Sequence, residues 1–237
     1  MSNPNIQLIN ANAYDYIKKL QEDNVIVNHI ITDPPYNISK DNNFNTLKGR
    51  KGIDFGEWDK NFDLLNWIPL YKQILDKNGS MIIFCSYLNI SYIANELTKS
   101  GMIVKDVLVW QKTNPMPRNV DRRYVQDMEF AIWAINTKAK WVFKKDKNVP
   151  YLRGIFRHSI VSGKNRIHPT QKNVDLLKDI LTIHTNENDL ILDPFMGSGS
   201  MGIACNEMNR RFIGIELDEK NYKNTINLYN KLGLTIS

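Results

Sequence analysis

Short apolar segments alternate along this chain with segments of helical periodicity, and that alternation restricts the possible folds more than any single residue does. The apolar segments are nearly continuous, which is typical of strands that are buried on both faces. Such strands, interleaved mostly with helices, predict a doubly wound α/β fold with a mostly parallel sheet. The predicted strands are the segment through Ile31, residues 79–86, 103–111 and 128–135, and the segments to Leu192 and to Ile215. The predicted helices are residues 13–20, 62–75, 87–99, 173–184, the segment after Ser200, and residues 219–231.

Length and composition favour a single domain over residues 1–237. With 237 residues, of which 42% are hydrophobic, the chain can bury one substantial core and needs no second full domain. No apolar stretch reaches about 18 residues, and the first five residues lack a signal-peptide pattern, so a soluble, cytoplasmic protein is expected. Cys85 and Cys205 lie in apolar stretches, which favours reduced thiols over a disulfide or a metal site.

A short proline-containing motif, Asp33-Pro34-Pro35-Tyr36, comes directly after an apolar run. The prolines restrict φ and lack N–H donors, so the Asp33 side chain and the Pro34 carbonyl become fixed acceptors at the end of a strand. Tyr36 can stack on whatever they hold. The arrangement suits an exposed nucleobase, although the motif alone could equally be a turn that ends a strand.

A glycine-containing loop, Asp193-Pro194-Phe195-Met196-Gly197-Ser198-Gly199-Ser200, joins a short apolar strand to a helical segment. The glycines allow close approach of a ligand, and a helix start offers N–H groups to a carboxylate or a phosphate. Glu216 follows about 20 residues later, where nucleotide-binding folds place the acid that binds ribose hydroxyls. Because Gly202 completes a G-x-G-x-x-G pattern, a dinucleotide site is also considered.

The two motifs, in this order, resemble those of the β-class amino-methyltransferases of DNA. The resemblance covers nearly the whole chain and includes the segments 79–86, 110–112, 114–115 and 168–172. It implies the circularly permuted fold of methyltransferases that depend on S-adenosylmethionine, with a seven-stranded sheet. The catalytic residues that it implies are Asp33, Pro34, Pro35 and Tyr36.

The same resemblance implies a set of residues that bind S-adenosylmethionine. Similar enzymes often have an acid near the N-terminus that contacts the adenine amino group of the cofactor, whereas this chain has Asn12-Ala13; an Asn oxygen can still accept that hydrogen bond. The predicted cofactor-binding residues are Asn12, Ala13, Asp33, His168, Thr170, Lys172, Asp193, Pro194, Phe195, Gly197, Ser198, Gly199, Ser200, Glu216 and Leu217.

Positive charge is concentrated in the middle of the chain. Residues 111–166 contain 13 Lys and Arg against 4 Asp and Glu, whereas the remainder contains 18 against 21. Because aromatic residues are interleaved with these charges, duplex DNA binding and target recognition are predicted here, above all in residues 137–166. The candidate DNA-binding residues in this region are Arg118, Arg122, Arg123, Lys144, Lys145, Arg153, Arg157, Lys164 and Arg166.

Residues 37–60 lack periodicity and directly follow the proline motif, so we expect a mobile loop that closes over a flipped nucleotide. Lys48, Arg50 and Lys51 are its candidate DNA contacts. A surface loop without a function is the alternative.

The leading prediction is methyl transfer to the N6 amino group of adenine, because the motif begins with Asp33 where cytosine enzymes more often have Ser. The alternatives are a cytosine-N4 DNA methyltransferase, an RNA or protein amide methyltransferase, a non-catalytic DNA-binding regulator and, last, a nicotinamide dehydrogenase. The resemblance further implies a bacterial modification enzyme, with a cognate restriction endonuclease and a homodimer as possible partners. His29, His158 and His184 lack metal-like spacing, so no metal is predicted.

Overall fold

The computed structural model describes residues 6–36, 62–117, 120–161 and 171–237. Within them a single sheet of eight strands has the order β1-β8-β7-β2-β3-β5-β4-β6. The strands are β1 (Ile6–Asn10), β2 (Val27–Thr32), β3 (Leu75–Cys85), β4 (Met102–Lys112), β5 (Met128–Asn136), β6 (Ile155–His158), β7 (Leu190–Asp193) and β8 (Arg211–Glu216). The helices are α1 (Ala13–Glu22), α2 (Trp67–Lys72), α3 (Ile90–Lys99), α4 (Val174–His184), α5 (Ser200–Glu207) and α6 (Glu219–Lys231).

The sheet is mostly parallel, as predicted, and β5 is the strand that runs antiparallel to both of its neighbours, β3 and β4. The carboxyl ends of the seven other strands therefore lie at one edge of the sheet, called here the catalytic edge, together with the start of β5. At this edge β2 pairs with β7, with Ile30 opposite Leu192. Open α/β sheets bind ligands where the strand order reverses, and β2 and β7 meet at such a point.

Both faces of the sheet are covered, also as predicted. Alternate residues of each strand point to opposite faces, so that Ile82 packs with α4, α5 and α6, whereas Ile83 packs with α1, α2 and α3. None of the helices in the described parts of the chain is long and apolar enough to cross a membrane.

Three details differ from the sequence-based prediction. The sheet has eight strands instead of seven; β1 and β6 were not identified, because both are short and β6 carries Arg157 and His158. The helix predicted over 62–75 is only α2, since Asp63 accepts from two backbone N–H groups in a turn and β3 already begins at Leu75. The helix predicted from Tyr87 begins as a 3-10 turn, and α3 starts at Ile90.

Candidate active site

The predicted catalytic motif follows β2 directly, at the catalytic edge. The Tyr36 hydroxyl donates a hydrogen bond to Asp33 Oδ1, and Lys172 Nζ donates one to Asp33 Oδ2 at 2.5 Å. The Asn89 amide, beyond the end of β3, donates to the Tyr36 carbonyl at 3.3 Å. With 21% of its side chain exposed, Asp33 is largely buried but reachable, and both of its oxygens are held in place.

Four alternating charges, Lys112, Glu129, Lys172 and Asp33, form a chain of ion pairs that ends at the motif; we call it the site charge chain. Lys112 Nζ lies 2.6 Å from Glu129 Oε1, and Lys172 Nζ lies 2.9 Å from Glu129 Oε2. Glu129 lies on β5 directly opposite Trp110 of β4, and Lys172 arrives from the segment before α4. The chain therefore joins four segments that are far apart in sequence.

Three aromatic rings surround the Lys172 ammonium group. Its Nζ lies 5.1 Å from the ring centre of Phe84, 5.8 Å from that of Tyr36 and 5.9 Å from that of Trp110. The Trp110 indole N–H donates to the His158 carbonyl at 3.0 Å, which fixes this ring. Ring faces attract a cation and also offer a flat apolar wall beside Asp33.

The electrostatics of the site reflect this burial. Burial raises the pKa of Asp33 above its ordinary value, although Lys172 opposes the shift. Burial would also raise the pKa of Glu129, but Lys172 and Lys112 together lower it to about 2. Burial lowers the pKa of Lys172, yet Asp33 and Glu129 outweigh it and raise that pKa well above the usual range. Glu129 and Lys172 are therefore both charged at neutral pH.

The predicted cofactor loop occupies the neighbouring position, at the carboxyl end of β7. Gly197 and Gly199 have φ angles of 51° and 70°, in the left-handed region that favours glycine, and Gly199 caps α5. Thr225 donates to the Gly197 carbonyl at 2.9 Å, and the Tyr229 hydroxyl donates to the Gly199 carbonyl. The backbone of the loop is therefore held by α6.

Two carboxylates flank the loop. Glu216, at the end of β8, accepts the N–H of Gly197 at 3.0 Å and that of Asp218 at 2.8 Å. Asp193 accepts the Thr32 hydroxyl at 2.6 Å and the Phe195 N–H at 3.1 Å. Burial raises the pKa of Asp193 to about 7, against the effect of these hydrogen bonds. The Thr32 bond joins the cofactor loop to the strand that carries Asp33.

Other predicted cofactor residues have clear contacts within the fold. Ser198 and Ser200 are buried, with their hydroxyl oxygens 3.0 Å apart, and Pro194 is also buried. The Phe195 ring packs edge-on against Phe62 and Trp67. Leu217 is 61% exposed next to Glu216.

Asn12 and Ala13 both take part in the fold at α1. The Asn12 side-chain oxygen accepts the Tyr14 N–H at 2.8 Å and caps the helix. Ala13 is buried, and its carbonyl accepts the Tyr71 hydroxyl at 2.7 Å. A cofactor contact from either residue stays a prediction, and the Asn12 oxygen would have to serve both partners.

The structure brings only some of the predicted DNA-binding residues to the catalytic edge. Arg157 on β6 lies opposite Gln111 near this edge and donates to its side chain at 3.0 Å. Arg122 and Arg123 are exposed on the connection from β4 to β5, which leaves from the same edge. Arg153 precedes β6, with its guanidinium 5.9 Å from the Tyr151 ring centre.

Lys144 and Lys145 lie elsewhere. The Lys144 N–H donates to Ile183 near the end of α4, and the Lys140 N–H donates to Asn78 near the start of β3. Both contacts are at the edge opposite the catalytic motif. The structure therefore does not bring the first part of the predicted recognition region, residues 137–150, to the catalytic site.

Several predicted residues fall outside the part of the chain that the structure describes. The loop 37–60 is one such segment, and its closing role stays a prediction. The individual residues concerned are Lys48, Arg50, Lys51, Arg118, Lys164, Arg166, His168 and Thr170.

Sequence reasoning gave no role to Glu129, Lys112 or Trp110. Glu129 is an acid that immediately precedes the apolar run of β5, and an acid in that position is the one signal that could have marked it. Its partners become neighbours only when β4 and β5 pair. Lys172, predicted as a cofactor ligand, contacts the Asp33 carboxylate.

Comparison with known proteins agrees with this geometry. The family of N6/N4 methyltransferases, described as DNA methylase, matches residues 27–227. This chain belongs to that family.

Individual relatives of this chain agree with the family match. The type II methyltransferase M2.DpnII of Streptococcus pneumoniae is 30% identical to it, over 91% of this chain and 86% of the relative's own length. M2.MboI of Moraxella bovis is 31% identical over 90% and 83% of the two chains.

Solved structures give the same fold for this DNA methylase. The M1.HpyAVI complex with S-adenosylmethionine is 47% identical, with a TM-score of 0.78, and covers 94% of this chain and 99% of its own. The cytosine-N4-specific PvuII DNA methyltransferase is only 13% identical, with a TM-score of 0.68 over 99% and 97% of the two chains, and shows the fold alone. The chain is thus an S-adenosylmethionine-dependent DNA methyltransferase.

The residues present fit S-adenosylmethionine. Glu216 is fixed by two backbone N–H groups at the end of β8, where a carboxylate can accept from ribose hydroxyls. The left-handed glycines leave the loop without side chains at positions 197 and 199, shortly before the start of α5. When bound, the cofactor supplies an electrophilic methyl group on a sulfonium.

Proposed function

We propose that this DNA methyltransferase modifies the N6 amino group of an adenine that is flipped out of a specific duplex sequence. The observation that carries the proposal is the juxtaposition of the Asp33 carboxylate with the glycine loop. They follow adjacent strands, and the 2.6 Å hydrogen bond from Thr32 to Asp193 joins them. Donor and acceptor of the methyl group would meet at this junction.

An exocyclic amine is a poor nucleophile, because its lone pair is delocalised into the ring. If Asp33 and the Pro34 carbonyl accept its two hydrogens, the nitrogen becomes more pyramidal and its developing positive charge is stabilised. The nitrogen lone pair then forms the new N–C bond while the C–S bond breaks and leaves its electron pair on sulfur. The nitrogen gives one proton to the Asp33 carboxylate, whose raised pKa favours acceptance. Fixed geometry supplies the alignment.

The base must first leave the duplex, at a cost of a few kcal/mol. The Tyr36 ring stands beside Asp33 and offers a face on which the base would stack, offsetting part of that cost. Arg122, Arg123 and Arg157 are the proposed DNA contacts within the described residues, because they lie on segments at or leading from the catalytic edge.

The type II methyltransferases among the relatives support a role as a bacterial modification enzyme, and we propose a cognate restriction endonuclease as its partner. We further propose a cytoplasmic enzyme that is able to form a homodimer. Cytosine-N4 methylation is the second candidate, because the same pair of acceptors would serve its exocyclic amine. Asp33 at the first position of the motif favours adenine.

The test is to incubate the protein with labelled S-adenosylmethionine and unmethylated duplex DNA, and to identify the modified nucleoside by mass after digestion. N6-methyladenine supports the proposal, and N4-methylcytosine would move the target while keeping the mechanism. RNA and protein acceptors are assayed in parallel. Label in either of these, with none in DNA, would overturn the DNA assignment.

A further inference from the structure

Each oxygen of the Asp33 carboxylate already accepts one hydrogen bond in the structure. Tyr36 donates to Oδ1 and Lys172 donates to Oδ2. A target amino group that binds Asp33 must therefore share an oxygen with one of these donors or displace it. Lys172 is the stronger competitor, because its bond is charge-assisted.

A buried ammonium group cannot simply leave its carboxylate. Only 8% of the Lys172 side chain is exposed, and an unpaired charge at such a site is strongly unfavourable. Lys172 can loosen its bond to Asp33 only if another anion stands within reach.

Glu129 is that anion. Its Oε2 lies 2.9 Å from Lys172 Nζ, yet within the described residues this buried oxygen accepts no well-aligned hydrogen bond, whereas Asp33 does accept one from Lys172. Glu129 thus keeps an acceptor site in reserve. Lys112, 2.6 Å away on the other side, neutralises Glu129 and limits its repulsion of Asp33.

We propose that Glu129 is a positioning residue for methyl transfer, which receives the Lys172 ammonium group when the target amine takes over Asp33 Oδ2. The inference rests on the proposed role of Asp33. Glu129 touches neither base nor cofactor in this scheme and acts through Lys172. It also draws the ammonium charge away from the nitrogen that becomes positive during transfer.

The test compares Glu129→Gln with wild type in single-turnover methylation of duplex DNA. We expect a rate about 100-fold lower, the order of loss that misplacing a reacting group causes. Affinities for S-adenosylmethionine and for DNA should change less than about twofold. Glu129→Asp should recover part of the rate, and Glu207→Gln, an exposed carboxylate on α5, is the matched control that should leave it unchanged.

A double-variant comparison separates positioning from a merely structural role. In the Lys172→Met background, Glu129→Gln should lower the rate no further, because Glu129 acts through Lys172. Additive losses from Glu129→Gln and Lys172→Met would overturn the proposal.

A wild-type rate in Glu129→Gln, or a loss due only to weaker binding, would also overturn it. If Glu129→Gln does not fold, Lys112→Met tests the site charge chain at the end farthest from Asp33. Methyl transfer about tenfold slower in Lys112→Met supports the proposal, and an unchanged rate contradicts it. Formation of N4-methylcytosine by wild type would overturn the adenine assignment alone, since the effect of Glu129→Gln is then measured on that product. No methylated nucleoside from wild type would overturn both.

Discussion

The two halves of the proposed active site, one for the cofactor and one for the target base, are built in different ways. The cofactor half, around the glycine loop and Glu216, is held mainly by hydrogen bonds between side chains and backbone groups, and its two carboxylates accept backbone N–H groups. The base half is held by the site charge chain, with four side chains from four segments. Backbone contacts tolerate changes of charge, whereas a chain of buried ion pairs fails when one member is lost.

The largest expected effect comes from the base half. Asp33→Ala removes the acceptor for the amino group and leaves the Lys172 ammonium group with Glu129 alone, so methylation should fall by about 1000-fold or more. Binding of S-adenosylmethionine, measured by calorimetry, should remain within a few-fold of wild type. Asp175→Asn, on the exposed surface of α4, is the matched control. Methylation at the wild-type rate in Asp33→Ala would contradict the assignment of this half.

The next effect concerns the backbone of the cofactor half. A Cβ atom at Gly199 would lie 2.5 Å from Thr225 Cγ2 and 2.8 Å from Tyr229 Oη, at a φ of 70°. Gly199→Ala should therefore lower the free energy of unfolding by about 2–4 kcal/mol and weaken cofactor binding at least tenfold.

The matched control for Gly199 is Gly101→Ala. Gly101 has a similar φ of 79°, but a Cβ there meets nothing within 4 Å. It should cost only about 1 kcal/mol in denaturant unfolding. Equal losses in the two variants would show that the close packing against α6 is unimportant.

A smaller effect is expected at Glu216. Glu216→Gln keeps the shape of the side chain but replaces one acceptor oxygen by an NH2 group, so one of the two backbone N–H bonds is lost. Affinity for S-adenosylmethionine should fall about tenfold, while the rate at saturation changes little. The control is Glu219→Gln, an exposed neighbour. A slower rate at saturation would instead place Glu216 in the base half.

The smallest effect is a pH dependence of stability. Because the folded pKa of Asp193 is raised to about 7, the group favours folding in its protonated form, and this stabilisation is lost as pH rises from about 4 through 7. Asp193→Asn should raise the melting temperature by a few degrees at pH 8 relative to wild type, and by less at pH 5. An equal shift at both values would contradict a raised pKa.

The same contrast explains what the sequence could predict. The motif from Asp33 to Tyr36 and the glycine loop are continuous in sequence, so both could be predicted as parts of a site, and the buried strands predicted the doubly wound, mostly parallel sheet. Glu129 contributes one acid to an apolar strand and gains its partners only through the pairing of β4 with β5. No local sequence pattern predicts which charged side chains this pairing brings next to Glu129.

The composition of the basic region also could not predict where its charged residues lie in the fold. The charge of residues 111–166 was visible, but which edge of the sheet each lysine reaches depends on strand direction. Because β5 runs antiparallel to β3 and β4, the segment after Asn136 begins at the opposite edge, and Lys144 lies there with it. Arg157 returns toward the catalytic edge because β6 runs parallel to β4.

The pairing of β2 with β7 has one more consequence. Neighbouring strands lie about 4.8 Å apart, a spacing set by the hydrogen bonds between their backbones. Asp33 directly follows β2 and Asp193 ends β7, so the pairing of these strands sets the distance between the proposed sites of the methyl acceptor and the methyl donor. The spacing between the two proposed sites is therefore the same in every catalytic cycle, and each substrate has only to enter its own site.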